Sequence, residues 1–342
     1  MRRLKVLVTG ANGFLGSHLV KSLRQHAYEV YTTDLWGSNL NYLGDLQDPV
    51  FLKKIFETTN FDIVVHAAAL VPLVDDRKGF KEINGLVSGR LARLAKENEV
   101  KQFVLVSSSA PYGRPVDFPI TDQTPLIPIE SYGESKIMAE EEVTANLSGN
   151  VSLAVIRPRT ILGGDRFGIF EILFRWITNG YAIPMPGGAN HYLQLVHVDD
   201  LCRLIIHLIE KELDGIWPAG AQNYRTLKED LQTACEQNGL SIDILNVPSP
   251  IFKSLASLAR ILRISPFTPW HYSTLDTNFA FSKEWKPNGF EYEFSNVDCL
   301  SEALASYRAN PHSTGESAHT RNWSTKAIDF ALKGITGVRK QN

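Results

Sequence analysis

Cysteine is scarce in this chain, and the few that occur are placed where they can do little together. Cys202, Cys235 and Cys299 lie far apart among 342 residues and form no C-x-x-C pair, which excludes a disulfide framework and a thiolate metal site. Reduced thiols in a cytoplasmic protein are the expectation. The nine histidines include no His-x-x-x-His pair, so a helical metal site is not encoded either. An excess of one charge is also missing. A net charge of -2 gives no electrostatic footprint for nucleic acid. No apolar run is long enough to span a bilayer. Met1-Arg2-Arg3 leads straight into a strand-like run without the apolar stretch of a signal peptide. Peripheral membrane contact is left open. Internal repeats and low-complexity segments are absent.

What the chain has is regular alternation. Leu4–Thr9, Glu29–Thr33, Asp62–Ala67, Phe103–Ser107 and Ser152–Ile156 read as short, nearly continuous apolar strands. Helical patterns separate them at Gly13–His26, Asp48–Thr58, Gly79–Asn98 and Ser131–Leu147. Such strands belong to a parallel sheet covered on both faces. The fold expected is α/β, a doubly wound parallel sheet (Rossmann) with a smaller mixed α/β substrate lobe. Its ligands belong at the C-terminal strand ends. After Arg157 glycine and proline become denser and the alternation loosens. The expected division is therefore 1–156 for the nucleotide-binding part, 157–309 for a substrate lobe with segments crossing back, and 310–342 for a polar linker and C-terminal amphipathic helix. Within the lobe, Asp199–Lys211 and Thr226–Asn238 are expected to be helical.

Gly10, Gly13 and Gly16 stand in a G-x-x-G-x-x-G pattern between the first strand and the first helix. Glycines there permit a tight turn and close backbone approach to a pyrophosphate facing a helix N-terminus. Asp34 ends the second strand, where a carboxylate accepts from the adenosine ribose hydroxyls and repels a 2′-phosphate. NAD is therefore expected over NADP. Further along, Tyr132 and Lys136 are four residues apart on one helix and stack on one face. An ammonium beside a phenol favours its anion, lowering a reference pKa of ~10, so that the phenol can exchange a proton near neutral pH. The serine cluster Ser107-Ser108-Ser109 precedes them at a strand end.

These motifs together resemble an extended short-chain dehydrogenase/reductase of the NAD-dependent epimerase/dehydratase superfamily. The similarity runs from Leu4 to about Asp200. Beside the glycine loop (Asn12, Phe14 and Leu15 included) it includes Gly44-Asp45-Leu46, the segment that packs on adenine. It also includes Ala67, Ala68 and Ala69 beneath the dinucleotide, the helix asparagine Asn84, and Arg157-Pro158, whose backbone meets the nicotinamide amide. By that resemblance Tyr132 is the general acid/base, Lys136 tunes it and holds the nicotinamide ribose, and Ser108 polarises the substrate oxygen. Strand alternation turns Ser107 and Ser109 to the other face. Ser109, Tyr112, Thr160 and Arg166 are substrate candidates, with Tyr112 and Pro111 expected at the substrate mouth. A homodimer through Gly79–Asn98 and Ser131–Leu147 is implied by analogy. His66 reads as a strand-end residue, and His197 with Asp199 and Asp200 as a helix start capped by aspartate rather than a metal cluster.

Departures from the family pattern bear on the reaction. Ser109 and Ala110 stand where dehydratases carry acids, so the extra acid for elimination is missing. Thr160 replaces the asparagine of nucleotide-sugar members, and Leu193-Gln194 occupies the place of a diphosphate-binding arginine; Arg159, Arg166 and Arg175 are the cations left to offset the loss. Phe167–Ile177 and Ile251–Ile264 are amphipathic, the second basic on its polar face, and the lobe resembles the 3β-hydroxysteroid dehydrogenase-like branch. The first expectation is thus an NAD-dependent oxidoreductase interconverting a secondary alcohol and a ketone on a sterol-like or apolar small molecule. An NAD-retaining sugar epimerase is the alternative, and a non-catalytic dinucleotide sensor the third reading.

Overall fold

The computed structural model describes residues 2–71, 77–147, 149, 151–164, 167–168, 170–261 and 274–310. Its strands are β1 Lys5–Thr9, β2 Glu29–Asp34, β3 Tyr42–Leu43, β4 Ile63–His66, β5 Gln102–Val106, β6 Ser152–Pro158, β7 Thr160–Leu162, β8 Ile183–Pro186, β9 Leu195–His197, β10 Gly215–Ala219 and β11 Ile244–Val247. Seven of them form one sheet in the order β10-β6-β5-β4-β1-β2-β3, with every neighbouring pair parallel. The strand order reverses between β1 and β4. The C-terminal strand ends at such a switch point are where open α/β sheets bind ligands.

Alternation along the buried strands sends side chains to opposite faces, and each face has its own helices. Val6, Val8, Val65 and Val104 pack against α1 (Phe14–Gln25) and α7 (Val198–Glu210). Leu7, Val64, Phe103 and Leu105 pack against α2 (Pro49–Thr58), α4 (Val87–Glu97) and α5 (Ser131–Asn146). Helix α4 is preceded by the short α3 (Arg77–Gly79) and a π-helical stretch, Phe80–Leu86. The expected helices over 13–26, 48–58, 131–147, 199–211 and 226–238 all occur, within two residues at each end.

A separate core gathers Phe170 and Phe174 of α6 (Phe170–Thr178), Leu231 of α8 (Leu227–Gln237), Ile183 of β8 and Leu300 of α10 (Asn296–Ala309). Trp176 joins it, and Trp217 packs on the main sheet. Helix α9 (Ser249–Ile261) covers the first part of the expected basic segment, and Lys253 on it is paired with Asp276 at 2.8 Å. Residues 262–264, Trp270 and the expected C-terminal helix Trp323–Ile335 lie outside the described residues. No helix among the described residues is long and apolar enough to cross a membrane.

Candidate active site

The glycine loop occupies the β1–α1 turn, and its geometry leaves no room for a side chain at Gly10 or Gly16. Gly10 has φ +67°, and a Cβ there would stand 2.8 Å from the backbone of Ala68. A Cβ on Gly16 would lie 2.0 Å from the Gly10 carbonyl oxygen. The ends of β1 and β4 therefore meet backbone to backbone at the switch point. Helix α1 begins at Gly13 with no side chain capping its first N–H groups, which leaves donors and the positive dipole end for an anion. The Asp34 carboxylate accepts from Asn12 N at 2.8 Å and from Leu35 N at 2.7 Å. It thus fastens the loop while each oxygen keeps a second lone pair for a hydroxyl donor. Asn12 in turn donates to the Trp36 carbonyl at 2.6 Å. This cradle fits a dinucleotide. Of the residues expected at the dinucleotide, Phe14, Leu46, Ala67, Ala68 and Ala69 are half-buried, Leu15 is buried, and Asp45 is exposed.

Sequence reasoning missed the layer under this loop. Thr9 Oγ1 receives Ala68 N at 3.2 Å and shares a hydrogen bond with His66 Nδ1 at 2.7 Å. His66 Nε2 is 2.9 Å from Ser88 Oγ. Burial, with the charge of Lys136 behind it, pulls His66 down to about 3. The imidazole is therefore a neutral strut with both nitrogens engaged. Asn84 sits in the π-helical stretch, bonded through Oδ1 and Nδ2 to Leu70 N and O and through Nδ2 to Ser135 Oγ at 3.0 Å. It ties the loop after β4 to the helix carrying Tyr132.

Tyr132, Lys136 and Glu140 follow one another at helical i+4 spacing on α5. Tyr132 is half-buried, with its ring in edge contact with Phe80 at 5.8 Å. Lys136 is 4% exposed and donates to the Val106 carbonyl, the last residue of β5, at 2.9 Å. Burial pulls its ammonium down to about 8 against the opposing pull of Glu140. Glu140 accepts from Ser107 Oγ at 2.5 Å and from Arg157 Nε and Nη2 at 3.0 and 2.6 Å. Arg157 also donates to the Tyr112 hydroxyl at 2.7 Å. A buried ion pair thus clamps α5 to the ends of β5 and β6. The i+4 step from Lys136 to Glu140 was the readable signal for it.

Around this clamp the serines separate. Ser107 is held by Glu140, and Ser109 Oγ accepts from Arg159 Nη1 at 3.0 Å. Ser108 is half-buried and its Oγ accepts from Ala110 N at 3.1 Å. Tyr112 is only 1% exposed. Its hydroxyl accepts from Arg157, and Tyr112 and Pro111, expected at the substrate mouth, are both buried. Pro158 ends β6, and Thr160, half-buried, opens β7. Arg166 lies outside the described residues. The cap of α7 is also corrected. His197 itself is the N-cap and accepts from Asp199 N, while Asp200 accepts from the backbone N–H groups of Glu293 and Phe294. Among the described residues no group of His, Cys, Asp or Glu could hold a metal ion.

A doubly wound sheet with a glycine turn at the end of β1, a carboxylate at the end of β2 and a buried lysine bonded to the end of β5 defines a dinucleotide-dependent enzyme of the short-chain dehydrogenase/reductase type. Residues 6–219 match the model of the NAD dependent epimerase/dehydratase family, and the chain belongs to that family, with NAD as its cofactor. An uncharacterised protein of Sinorhizobium fredii, y4nG, is 30% identical over 97% of this chain and 87% of its own length. A UDP-glucose 4-epimerase of Lactobacillus helveticus is 34% identical over 48% of this chain and 54% of its own length. Among solved structures, a UDP-glucose 4-epimerase of Thermotoga maritima with UDP-glucose superposes with a TM-score of 0.71, at 21% identity, over 90% of this chain and all of that one.

Proposed function

We propose that the protein is an NAD-dependent epimerase that inverts a hydroxyl-bearing carbon of a nucleotide sugar. The observation that carries this reading is the family match over 6–219, joined to a sequence relative whose activity is 4-epimerisation of UDP-glucose. The same likeness favours the epimerase over a dehydrogenase acting on a sterol-like molecule, since the named relative of known activity is a UDP-glucose 4-epimerase. The missing acids at Ser109 and Ala110 argue against elimination.

In this reading Gly10, Gly13, Gly16, Asn12, Phe14, Leu15, Asp34, Asp45, Leu46, Ala67 to Ala69, Asn84 and Pro158 hold the dinucleotide. When bound, NAD supplies the hydride acceptor and, on return, the donor. Tyr132 takes the proton from the substrate hydroxyl and gives it back after inversion. Lys136 has three N–H donors, of which Val106 O takes one, and it stabilises the Tyr132 phenolate. Ser108 donates to the substrate oxygen and orients it. Asn84 and Glu140 fix the helix that carries Tyr132 and Lys136. Purified protein supplied with UDP-glucose should form UDP-galactose without accumulating NADH, and Tyr132→Phe should slow this by about 10²–10⁴-fold. Unchanged turnover in Tyr132→Phe sinks the proton-transfer assignment, and no conversion of any nucleotide sugar sinks the reaction class.

A further inference from the structure

Arg159 follows Pro158 between β6 and β7 and is 2% exposed. Its Nε donates to the Gln194 carbonyl at 3.1 Å and its Nη1 to Ser109 Oγ at 3.0 Å, while the guanidinium lies 3.7 Å from the centre of the Phe279 ring. Nη2 is buried and has no hydrogen-bond partner. Among the described residues no carboxylate pairs with Arg159, and burial alone pulls it down to about 9. Arg157, two residues earlier, shows the contrast, because its charge is met by both oxygens of Glu140.

An uncompensated buried cation is strongly unfavourable, and an aromatic face offsets it only in part. A guanidinium fork with one free arm matches a planar oxyanion. One of its partners places that oxyanion: Ser109, which accepts from Nη1, is itself a substrate candidate and directly follows the proposed catalytic Ser108. We infer that Arg159 is an anion subsite of the substrate pocket, taking a carboxylate or phosphate oxygen of the substrate beside the reacting carbon. This rests on the nucleotide-sugar reading above. The two sources of the oxyanion are a carboxylate on the sugar ring and the diphosphate that carries it.

The test compares wild type and Arg159→Gln, both NAD-loaded, by calorimetric titration with UDP-glucuronate, UDP-glucose and UDP. Loss of one charge-assisted contact predicts an affinity about 30-fold weaker, equivalent to ~2 kcal/mol. A loss confined to UDP-glucuronate assigns the carboxylate. An equal loss for all three assigns the diphosphate. Affinities within about twofold of wild type throughout overturn the inference. If wild type binds none of the three, the nucleotide-sugar reading fails, and the subsite is then read from glucuronate and inorganic phosphate alone. A rise in Tm for wild type but not Arg159→Gln supports it, and no rise overturns it. Ligand-free Arg159→Met gives a second readout. Relief of a buried unpaired charge raises Tm by about 2 °C or more, whereas a fall of that size marks Arg159 as a packing residue and overturns the inference.

Discussion

Glu140→Gln is the perturbation whose consequences the structure specifies most fully. The carboxylate accepts from Ser107 Oγ and from two nitrogens of Arg157, and the side chains of Arg157 and Glu140 are 7% and 11% exposed. Glutamine keeps the shape but removes the charge, and its amide N–H group faces the guanidinium. The Tyr112 hydroxyl then becomes the main named partner of a buried cation. Breaking a buried pair from one side costs about 3–5 kcal/mol. Urea unfolding followed by tryptophan fluorescence reads that loss directly, with six tryptophans as reporters. Replacing both partners by apolar residues of similar volume, Glu140→Leu with Arg157→Met, should recover most of it, since the double variant buries no charge. A second consequence follows for Lys136. Glu140 is the carboxylate that opposes the effect of burial on it, so in Glu140→Gln its pKa falls below about 8 and the alkaline loss of activity begins at lower pH. A stability loss below about 1 kcal/mol, the size expected of an exposed pair, refutes the clamp. So does a double variant as unstable as the sum of its parts.

Other expectations are as specific. Gly16→Ala places a Cβ 2.0 Å from the Gly10 carbonyl; it should cost about 1–3 kcal/mol of stability and abolish NAD binding by calorimetry. Tyr132→Phe should lower kcat by about 10²–10⁴-fold while equilibrium titration shows substrate affinity close to that of wild type. His66 and His191 are held down to about 3 and about 4 by burial, so the unfolded chain takes up two protons below about pH 6.5 that the folded chain refuses. Their contribution is full above that pH and is lost as pH falls. Unfolding free energies from urea titrations between pH 6.5 and 5 should fall by about 2 kcal/mol per pH unit, roughly 1 from each group, since the unfolded histidines are only half-protonated at the upper end of that range.

Much of the fold was legible because its signals are local. Continuous apolar strands, a glycine loop at one strand end and an i+4 pair each reside within a few residues. Strand β10 was not seen. Gly215–Ala219 carries Trp217 and Pro218 and stands at the edge of the sheet, where proline is tolerated but strand patterning is weak. Helix α10 was missed although Ser295 and Asp298 form a capping box at its start, a signal that can be read from sequence. The His197 cap escaped notice because aspartate is the commoner cap and two aspartates follow it. At the site, the glycine loop, Asp34, Tyr132 and Lys136 could be named from their spacing. The contacts Ser107–Glu140 and Tyr112–Arg157 join residues 33 and 45 positions apart, and only the folded chain brings them together. Arg159 was visible as one cation among several. Its isolation from any carboxylate appears only once its neighbours are in place.

In the proposed epimerase one site removes and restores a hydride on the same sugar carbon under the control of Tyr132. UDP-glucose deuterated at that carbon, incubated with the NAD-loaded protein and followed by NMR, tests it most directly. Epimerisation at one carbon predicts UDP-galactose with the deuterium kept at the inverted carbon, no exchange with solvent and no net NADH. Stoichiometric NADH with a released keto-sugar, or loss of the label to water, contradicts it.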